Sequence, residues 1–441
     1  SGTTQVLELK SRSLNLTGRD QGDFTINVDG GQSSSFIGGG LCNRICKDPL
    51  NGNDQVLYKS FIGGGERNII DGGHTAAIVG GFCNTNRGEK AFIGAGSQNC
   101  ILSACDNSGS RAFIGAGLQN RILSGACSSA IVAGNNNINH GGNAAFIGAG
   151  IENVLSGGGT FNPSGVTNKG GLSANTSAIV AGSGNFAAAS CGAFIGGGEG
   201  NCINACSHAF IGAGKYNTIT ACDRGAIVGG INNTLSSDNS FIGSGSRNCV
   251  GANGNTIVAG FSSYNIGPQS FIGAGRTSKV LSAYGGIVAG CNNFILSGGQ
   301  EGTPGSNFCS IANFIGAGEN NRILGDHDNV IVGGRSNALS GVRASILGGS
   351  LNTIGNIGDY NNTNYHNLTS IGLSAAGQGG RNTTIAGGNS SRAPGNEAFI
   401  GAGACNQAVG NFTFIGAGTV NEAWGNCSVV VGGTSGVASG T

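Results

Sequence analysis

Charged residues are scarce in this chain. It has 22 Lys and Arg and 21 Asp and Glu among 441 residues, a charged fraction of 10%, against roughly 25% in an average protein. The formal net charge is +1, with no basic patch for a phosphate backbone and no polybasic membrane segment. No run approaches the ~18 apolar residues of a membrane helix. We therefore expect no nucleic-acid partner and no membrane insertion.

Proline and methionine are also lacking. Only 5 Pro occur, which excludes collagen and a proline-rich linker. No Met occurs, even at position 1, so we expect a processed chain. The hydrophobic fraction of 38% at near-zero net charge is not that of a disordered chain.

Motifs of catalysis and metal binding are missing as well. The sequence contains no CxxC pair, no GGxGxD, no GxxxxGK[ST] and no GxSxG, and its acidic residues are scattered rather than clustered. The five His have no metal-ligand spacing. We therefore predict no catalytic residue, no metal site and no cofactor, and we expect that the protein is not an enzyme.

Glycine is the abundant residue, at 88 of 441, against roughly 7% on average. It recurs in a phrase typified by AFIGAGSQNCI at 91–101, which reads [AS]-[FI]-[IV]-G-(A)-G-x-x-N-x-[ILV]. Such dense Gly excludes helices, and short β-branched or aromatic runs between Gly, Asn and Ser indicate short strands. The phrase predicts an all-β fold, a parallel β-helix or β-roll solenoid of about 23 coils with about 14–17 residues each.

Stacked coils place equivalent residues above one another, about 4.8 Å apart. We predict that the first large apolar residue of each phrase stacks in the core, as represented by Phe92, Phe113, Phe146, Phe194, Phe210, Ile227, Phe241, Ile257 and Phe271. We predict a structural ladder of Asn side chains from Asn68, Asn99, Asn120, Asn153, Asn201, Asn217, Asn233, Asn248, Asn293, Asn321, Asn337 and Asn352. The alternative is that this row of Asn binds a ligand such as a glycan.

The distance from anchor to Asn varies by one residue. From Phe210 to Asn217 it is seven residues, whereas from Ile227 to Asn233 it is six. The extra residue predicts a one-residue bulge at the corner of the Phe-headed coils.

Two cysteines fit the same stacking. Cys206 and Cys222 are 16 residues apart in consecutive phrases, so their Cα atoms should lie near 5 Å. A disulfide and two buried free thiols are both compatible with this spacing.

The chain divides into three predicted segments. Residues 1–31 are expected to be cap or attachment strands, 32–433 the repeat region, and 434–441 a C-terminal tail. Insertions near 41–58, 156–176, 296–312 and 355–368 are expected to form loops. Phe161, Tyr360, Tyr365 and His366 in these loops are candidate receptor contacts, the alternative being loops that are simply tolerated in solvent.

Phrases such as SAIVAGSGN (177–185) and AFIGAGSQN (91–99) resemble the head repeats of trimeric autotransporter adhesins and the Gly/Asn-rich repeats of phage and viral tail or surface fibres. The resemblance covers about residues 33–433. It implies a homotrimeric, extracellular rod on a virion or cell surface. The Asn offset and the long insertions depart from the adhesin pattern and agree better with a viral fibre.

The first functional hypothesis is therefore a structural fibre protein of a virion, a tail or surface fibre for host attachment. Its expected partners are further copies of itself, other fibre, baseplate or anchor subunits, and a glycan or protein receptor of unknown identity. The second hypothesis is a trimeric adhesin or filament subunit of a bacterial or other cell surface. The third is a polysaccharide-degrading β-helix enzyme, which would need clustered carboxylates.

Overall fold

The structure is a computed structural model, and it describes residues 27–28, 35–46, 59–72, 75–102, 111–123, 125–140, 144–157, 176–188, 190–204, 206–220, 222–296, 312–325, 327–355 and 379–440. The chain divides into two compact units, Ser1–Arg224 (unit 1) and Gly225–Thr441 (unit 2). Every regular element of the described residues is a β-strand. None of these residues forms a helix long and apolar enough to cross a membrane.

Unit 1 contains two columns of very short strands, labelled in chain order. Its first column consists of β2 (Phe36–Ile37), β4 (Phe61–Ile62), β6 (Ala77–Ile78), β8 (Phe92–Ile93), β10 (Phe113–Ile114), β12 (Ala130–Ile131), β14 (Phe146–Ile147), β16 (Ala178–Ile179), β18 (Phe194–Ile195) and β20 (Phe210–Ile211). Its second column consists of β1 (Asn27–Val28), β3 (Arg44–Cys46), β5 (Ile69–Asp71), β7 (Thr85–Asn86), β9 (Cys100–Ile101), β11 (Arg121–Ile122), β13 (Ile138–His140), β15 (Val154–Ser156), β17 (Phe186–Ala188), β19 (Cys202–Asn204) and β21 (Thr218–Thr220).

Unit 2 has the same organisation. Its first column consists of β22 (Ala226–Ile227), β24 (Phe241–Ile242), β26 (Thr256–Ile257), β28 (Phe271–Ile272), β30 (Gly286–Ile287), β32 (Phe314–Ile315), β34 (Val330–Ile331), β36 (Ser345–Ile346), β38 (Thr384–Ile385), β40 (Phe399–Ile400), β42 (Phe414–Ile415) and β44 (Val429–Val430). Its second column consists of β23 (Thr234–Leu235), β25 (Cys249–Val250), β27 (Tyr264–Asn265), β29 (Lys279–Val280), β31 (Phe294–Ile295), β33 (Arg322–Ile323), β35 (Ala338–Leu339), β37 (Thr353–Ile354), β39 (Arg392–Ala393), β41 (Gln407–Ala408), β43 (Glu422–Ala423) and β45 (Val437–Ala438).

Strands of one column pair in parallel from coil to coil. β4 pairs with β6 so that Phe61 lies opposite Ala77 and Ile62 opposite Ile78. The backbone N–H of Phe61 donates to the carbonyl oxygen of Ala76 (3.0 Å), in the following coil. This confirms the predicted parallel β-solenoid, whereas the number of 23 coils stays a prediction. β45 lies within the predicted tail of 434–441 and pairs with β43, so the second column continues past residue 433.

A third row of pairing lies between the two columns in each coil. Single residues form parallel bridges from coil to coil, for example Glu199 with Lys215 in unit 1 and Phe261 with Arg276 in unit 2. We call this row the bridge column. Each coil therefore has three sides, namely the first column, the bridge column and the second column.

The predicted Phe core is wrong. Phe113, Phe146, Phe194, Phe210, Phe241 and Phe271 are exposed and Phe92 is half-buried, whereas the Ile that follows each of them is fully buried. Ile227 and Ile257, from the same predicted set, are fully buried. Consecutive residues of a strand point to opposite faces. The narrow interior is already filled by the inward Ile of the first column and by the inward side chains of the second column, which are mostly Ile, Leu, Val or Ala.

The predicted one-residue bulge at the corner of the Phe-headed coils is wrong, because the register of the strands differs from the predicted one. The inward Ile of a Phe-headed coil is the residue after the Phe, so Asn217 follows Ile211 by six residues just as Asn233 follows Ile227. Phe210 and Ile227 are not equivalent positions, because Phe210 points outward. The spacing from inward Ile to Asn is therefore constant.

Candidate interaction surface

One inward row of Asn side chains satisfies its own hydrogen bonds from coil to coil. Asn84 Nδ2 donates to Asn68 Oδ1 (3.0 Å), to the carbonyl of Gly80 (3.1 Å) and to the carbonyl of Gly96 (3.0 Å). Its Oδ1 accepts from the backbone N–H (3.0 Å) and from Nδ2 (3.2 Å) of Asn99. Because the donors and acceptors of these Asn side chains are already used in hydrogen bonds between coils, the row has a structural role and is not a ligand site.

All twelve predicted ladder residues lie in this row and are buried. The sequence reasoning missed Asn43 and Asn137, which lie in the same row and which the constant spacing of six from Ile37 and Ile131 would have found. Ser263, Ser278 and Ser391 take the place of Asn, and their buried Oγ atoms have no hydrogen-bond partner among the described residues.

The outward side of the first column forms an apolar surface in each unit. Two positions of each coil point outward there, the first residue of the strand and the residue two positions later. In unit 1, Phe at the first position is always accompanied by Gly at the second, as in Phe61 and Gly63, and Ala is accompanied by Val, as in Ala77 and Val79. Each coil of unit 1 from Phe36 to Phe210 thus presents one large apolar side chain. We call this surface the Phe/Val face.

Glycine at the second position makes room for the next coil and for the Phe ring. A Cβ added to Gly63 would collide with the carbonyl oxygen of Val79 in the next coil and would lie 3.3 Å from Cε1 of Phe61. Where two Phe coils are adjacent, the rings stack in parallel, with centroids 5.5 Å apart for Phe92 and Phe113. The face is therefore ordered by its own contacts before any partner binds.

The Phe/Val face is free of charge. The residue before each first-column strand, the strand itself and the two residues after it include none of the chain's Lys, Arg, Asp or Glu. Charged side chains lie instead in the bridge column, the second column and the turns. Examples are Lys215 with Glu199 at 2.8 Å and Arg335 with Glu319 at 3.8 Å in the bridge column, and Lys90 with Glu89 at 2.8 Å in the turn before β8. Depletion of charge together with aromatic enrichment is the composition of an interface core.

The exposed area is large enough for a stable interface. Phe146 is 39% exposed and Val132 44%. At about 40% of roughly 200 Å² per aromatic side chain, the seven Phe coils of unit 1 present roughly 560 Å². The three Val coils add to this area, which approaches the ~800 Å² that each partner buries in a stable complex. Contiguous apolar patches of this size mark interaction sites on soluble proteins.

The predicted cysteine pair is present as two thiols. Cys206 and Cys222 are both buried thiols rather than a disulfide, and the Sγ of Cys222 donates to the Sγ of Cys206 at 3.6 Å. The hydrogen bond from the Sγ of Cys222, together with one from the backbone N–H of Cys222 (3.5 Å), lowers the pKa of Cys206 from 9.0 to about 7 despite burial. The fold therefore favours the Cys206 thiolate.

This pKa gives a pH-dependent stability. Because the folded pKa lies below the unfolded one, the stabilisation is fully present above about pH 9 and is lost as the pH falls through about 7. Replacing Cys222 with Ala removes the donor. We expect the stability difference between wild type and Cys222→Ala, measured by urea unfolding, to increase from pH 6 to pH 9. A difference that is constant over this range would contradict the assignment.

The other predicted contacts are not placed by the structure. Phe161, Tyr360, Tyr365 and His366 lie outside the described residues. Within the described ranges, no group of three or more His, Cys, Asp or Glu side chains is arranged to hold a metal ion. No protein-family model and no curated protein matches this chain.

Proposed function

We propose that this protein is a structural fibre subunit that associates with copies of itself through the Phe/Val face. The observation that carries the proposal is the charge-free row of Phe and Val on the outward side of the first column, with one such side chain in every described coil of unit 1. Burying this row against a partner removes apolar surface from water, which stabilises the complex by roughly 25 cal/mol for each Å² buried. The Asn row and the coil-to-coil backbone hydrogen bonds supply the rigid support.

The proposed occupant of the face is a second copy of the chain. One large apolar side chain recurs per coil on this face, about 4.8 Å apart, over the described coils of unit 1 and over those of unit 2 except the coil of Thr384–Ile385, where Thr384 and Ala386 point outward. A partner that matches such a surface over many coils needs the same repeat distance, which another β-solenoid of this sequence has. The absence of charge also disfavours partners that bind by electrostatic steering.

The finer assembly follows from the sequence resemblance. We propose a homotrimer of solenoids with about 23 coils each, located outside the cell on a virion, with other fibre, baseplate or anchor subunits and a host receptor as further partners. A trimeric adhesin of a cell surface is the second candidate, since the same face would serve it equally. A polysaccharide-degrading enzyme is the third, and no observation favours it.

The proposal is tested by the molar mass in solution. Two variants alter the same two coils: Phe113→Asp with Phe146→Asp on the Phe/Val face, and Leu118→Asp with Ile151→Asp on the bridge column. The replaced side chains are similarly exposed, at 38% and 39% against 41% and 50%. We expect sedimentation equilibrium to give three times the chain mass of 43.4 kDa for wild type and the bridge variant, and one chain mass for the face variant.

The outcomes separate the parts of the proposal. A monomeric wild type, or equal dissociation of both variants, would overturn self-association through this face. If the wild type is a stable dimer and only the face variant dissociates, the result would support self-association through this face and overturn the proposal of a trimer. Far-UV circular dichroism of both variants establishes that the solenoid is folded.

A further inference from the structure

The bridge column of unit 2 contains an aromatic side chain between two guanidinium groups. The Cζ of Arg247 lies 5.8 Å from the ring centroid of Phe261, and that of Arg276 lies 6.0 Å from it. Phe261 and Arg276 are bridge partners in consecutive coils, and Arg247 belongs to the coil before. All three side chains are exposed. We call them the Arg–Phe–Arg cluster.

The cluster is positive, and no carboxylate of the described residues forms an ion pair with it. Elsewhere in this column cations are neutralised by the neighbouring coil, as Lys215 is by Glu199 and Arg335 by Glu319. Residues 226–296 contain three cationic side chains, Arg247, Arg276 and Lys279, and one acidic residue, Asp238. Asp238 lies in the turn after the second-column strand β23, and none of the three cations forms an ion pair with any described residue.

Stacking on Phe261 positions the guanidinium groups for a ligand. A guanidinium that lies over an aromatic ring uses its π face there and keeps its N–H donors at the edge for a carboxylate or sulfate group. The two arginines are two coils apart, which sets the spacing of the bound acidic groups at about 10 Å. Tyr264, three residues after Phe261 and 37% exposed, adds an amphipathic ring on the same coil.

The coils that contain Phe261 and Arg276 depart from the repeated pattern of a ladder Asn and a Gly with positive φ. Ser263 and Ser278 replace the ladder Asn there, and their buried hydroxyls form no hydrogen bond within the part of the chain that the structure describes. Gly260 and Gly275 lack the positive φ that Gly245 (+102°) and Gly290 (+108°) have in the flanking coils. Local departures of this kind are expected at functional sites, where residues that lower stability are retained because they serve binding or catalysis.

We propose that the Arg–Phe–Arg cluster binds an acidic polysaccharide, with Arg247 and Arg276 each holding a carboxylate or sulfate group of successive acidic units. Binding of nucleic acid is disfavoured, because the net charge of +1 provides none of the extended positive field that a phosphate backbone requires. The site lies on the bridge column, away from the first-column strands, and does not depend on self-association.

The test uses isothermal titration calorimetry of the full chain with a heparin octasaccharide as the probe. We expect binding that weakens with rising salt, and an affinity at least about tenfold lower for the double variant Arg247→Gln with Arg276→Gln, since each lost bidentate contact removes a charge-assisted pair. Arg335→Gln, in the same column but paired with Glu319, is the matched control and should bind like wild type. Arg247→Lys with Arg276→Lys keeps the charge and should bind with intermediate affinity.

Three results would overturn the proposal. These are no heparin binding by wild type, equal loss of affinity in Arg335→Gln, and equal or tighter binding of a single-stranded DNA of the same charge. Neutral dextran should not bind. Since the molar mass of each variant is measured alongside, failure of this site and failure of self-association are seen separately.

Discussion

Replacing Gly81 with Ala is expected to destabilise unit 1 by about 4 kcal/mol or more. Gly81 has a φ of +99°, a region that L-residues with a Cβ rarely adopt. The new Cβ would also collide with the carbonyl oxygen of Gly96 in the next coil and lie 2.6 Å from Nδ2 of Asn84. Neither neighbour can move, because both belong to the hydrogen-bonded stack. Urea unfolding followed by circular dichroism measures the loss.

Gly80→Ala is the matched control. A Cβ added at Gly80 meets no atom within 4 Å, and the φ of Gly80 is not in the left-handed region. We expect a change within about 1 kcal/mol, because losing unfolded-state entropy favours Ala where the backbone permits it. If both variants unfold at the same urea concentration, the close approach of the coils at Gly81 is contradicted.

Replacing Asn84 with Leu is expected to cost about 3–5 kcal/mol. The carbonyls of Gly80 and Gly96 would lose their Asn84 donor, and the N–H and Nδ2 of Asn99 would lose their Asn84 acceptor, all in a buried site. Leu has a similar size, so the loss reports the hydrogen bonds more than a cavity. Unfolding in urea at pH 7 provides the measurement.

The variant Asn84→Asp keeps the shape of the side chain but removes its Nδ2 hydrogen-bond donors, so it tests the donors alone. A carboxylate in this position would face the two Gly carbonyls, so its pKa should be raised by burial and repulsion. The protonated form can donate one hydrogen bond, so the stability of this variant should increase as the pH falls from 7 to 4. Full wild-type stability of the Leu variant, or a pH-independent Asp variant, would show that the Asn row contributes little.

The sequence was sufficient for the solenoid and its Asn row, because period, Gly density and Asn spacing all follow from backbone constraints. It was insufficient for the core, because Phe113 and Ile114 are adjacent large apolar residues and composition does not say which one points inward. The pairing of Phe with Gly and of Ala with Val was the available signal. In Phe113-Ile114-Gly115 and Ala130-Ile131-Val132, only the central Ile is constant.

The functional surfaces were harder to predict for a different reason. Sequence reasoning places exposed aromatic residues in loops and large apolar residues in cores, so a row of Phe on a strand face was assigned to the interior. The Arg–Phe–Arg cluster is invisible in the linear sequence, because Arg247, Phe261 and Arg276 lie 14 and 15 residues apart. Only the coil-to-coil register brings these side chains together.

The most direct test of the central claim is a reconstruction of the wild-type particle by electron cryomicroscopy. We predict a three-fold symmetric assembly in which Phe61, Phe113 and Phe146 of each copy face the other copies and the bridge column faces solvent. Single copies with these Phe side chains in solvent, or an assembly joined through the bridge or second column, would contradict it.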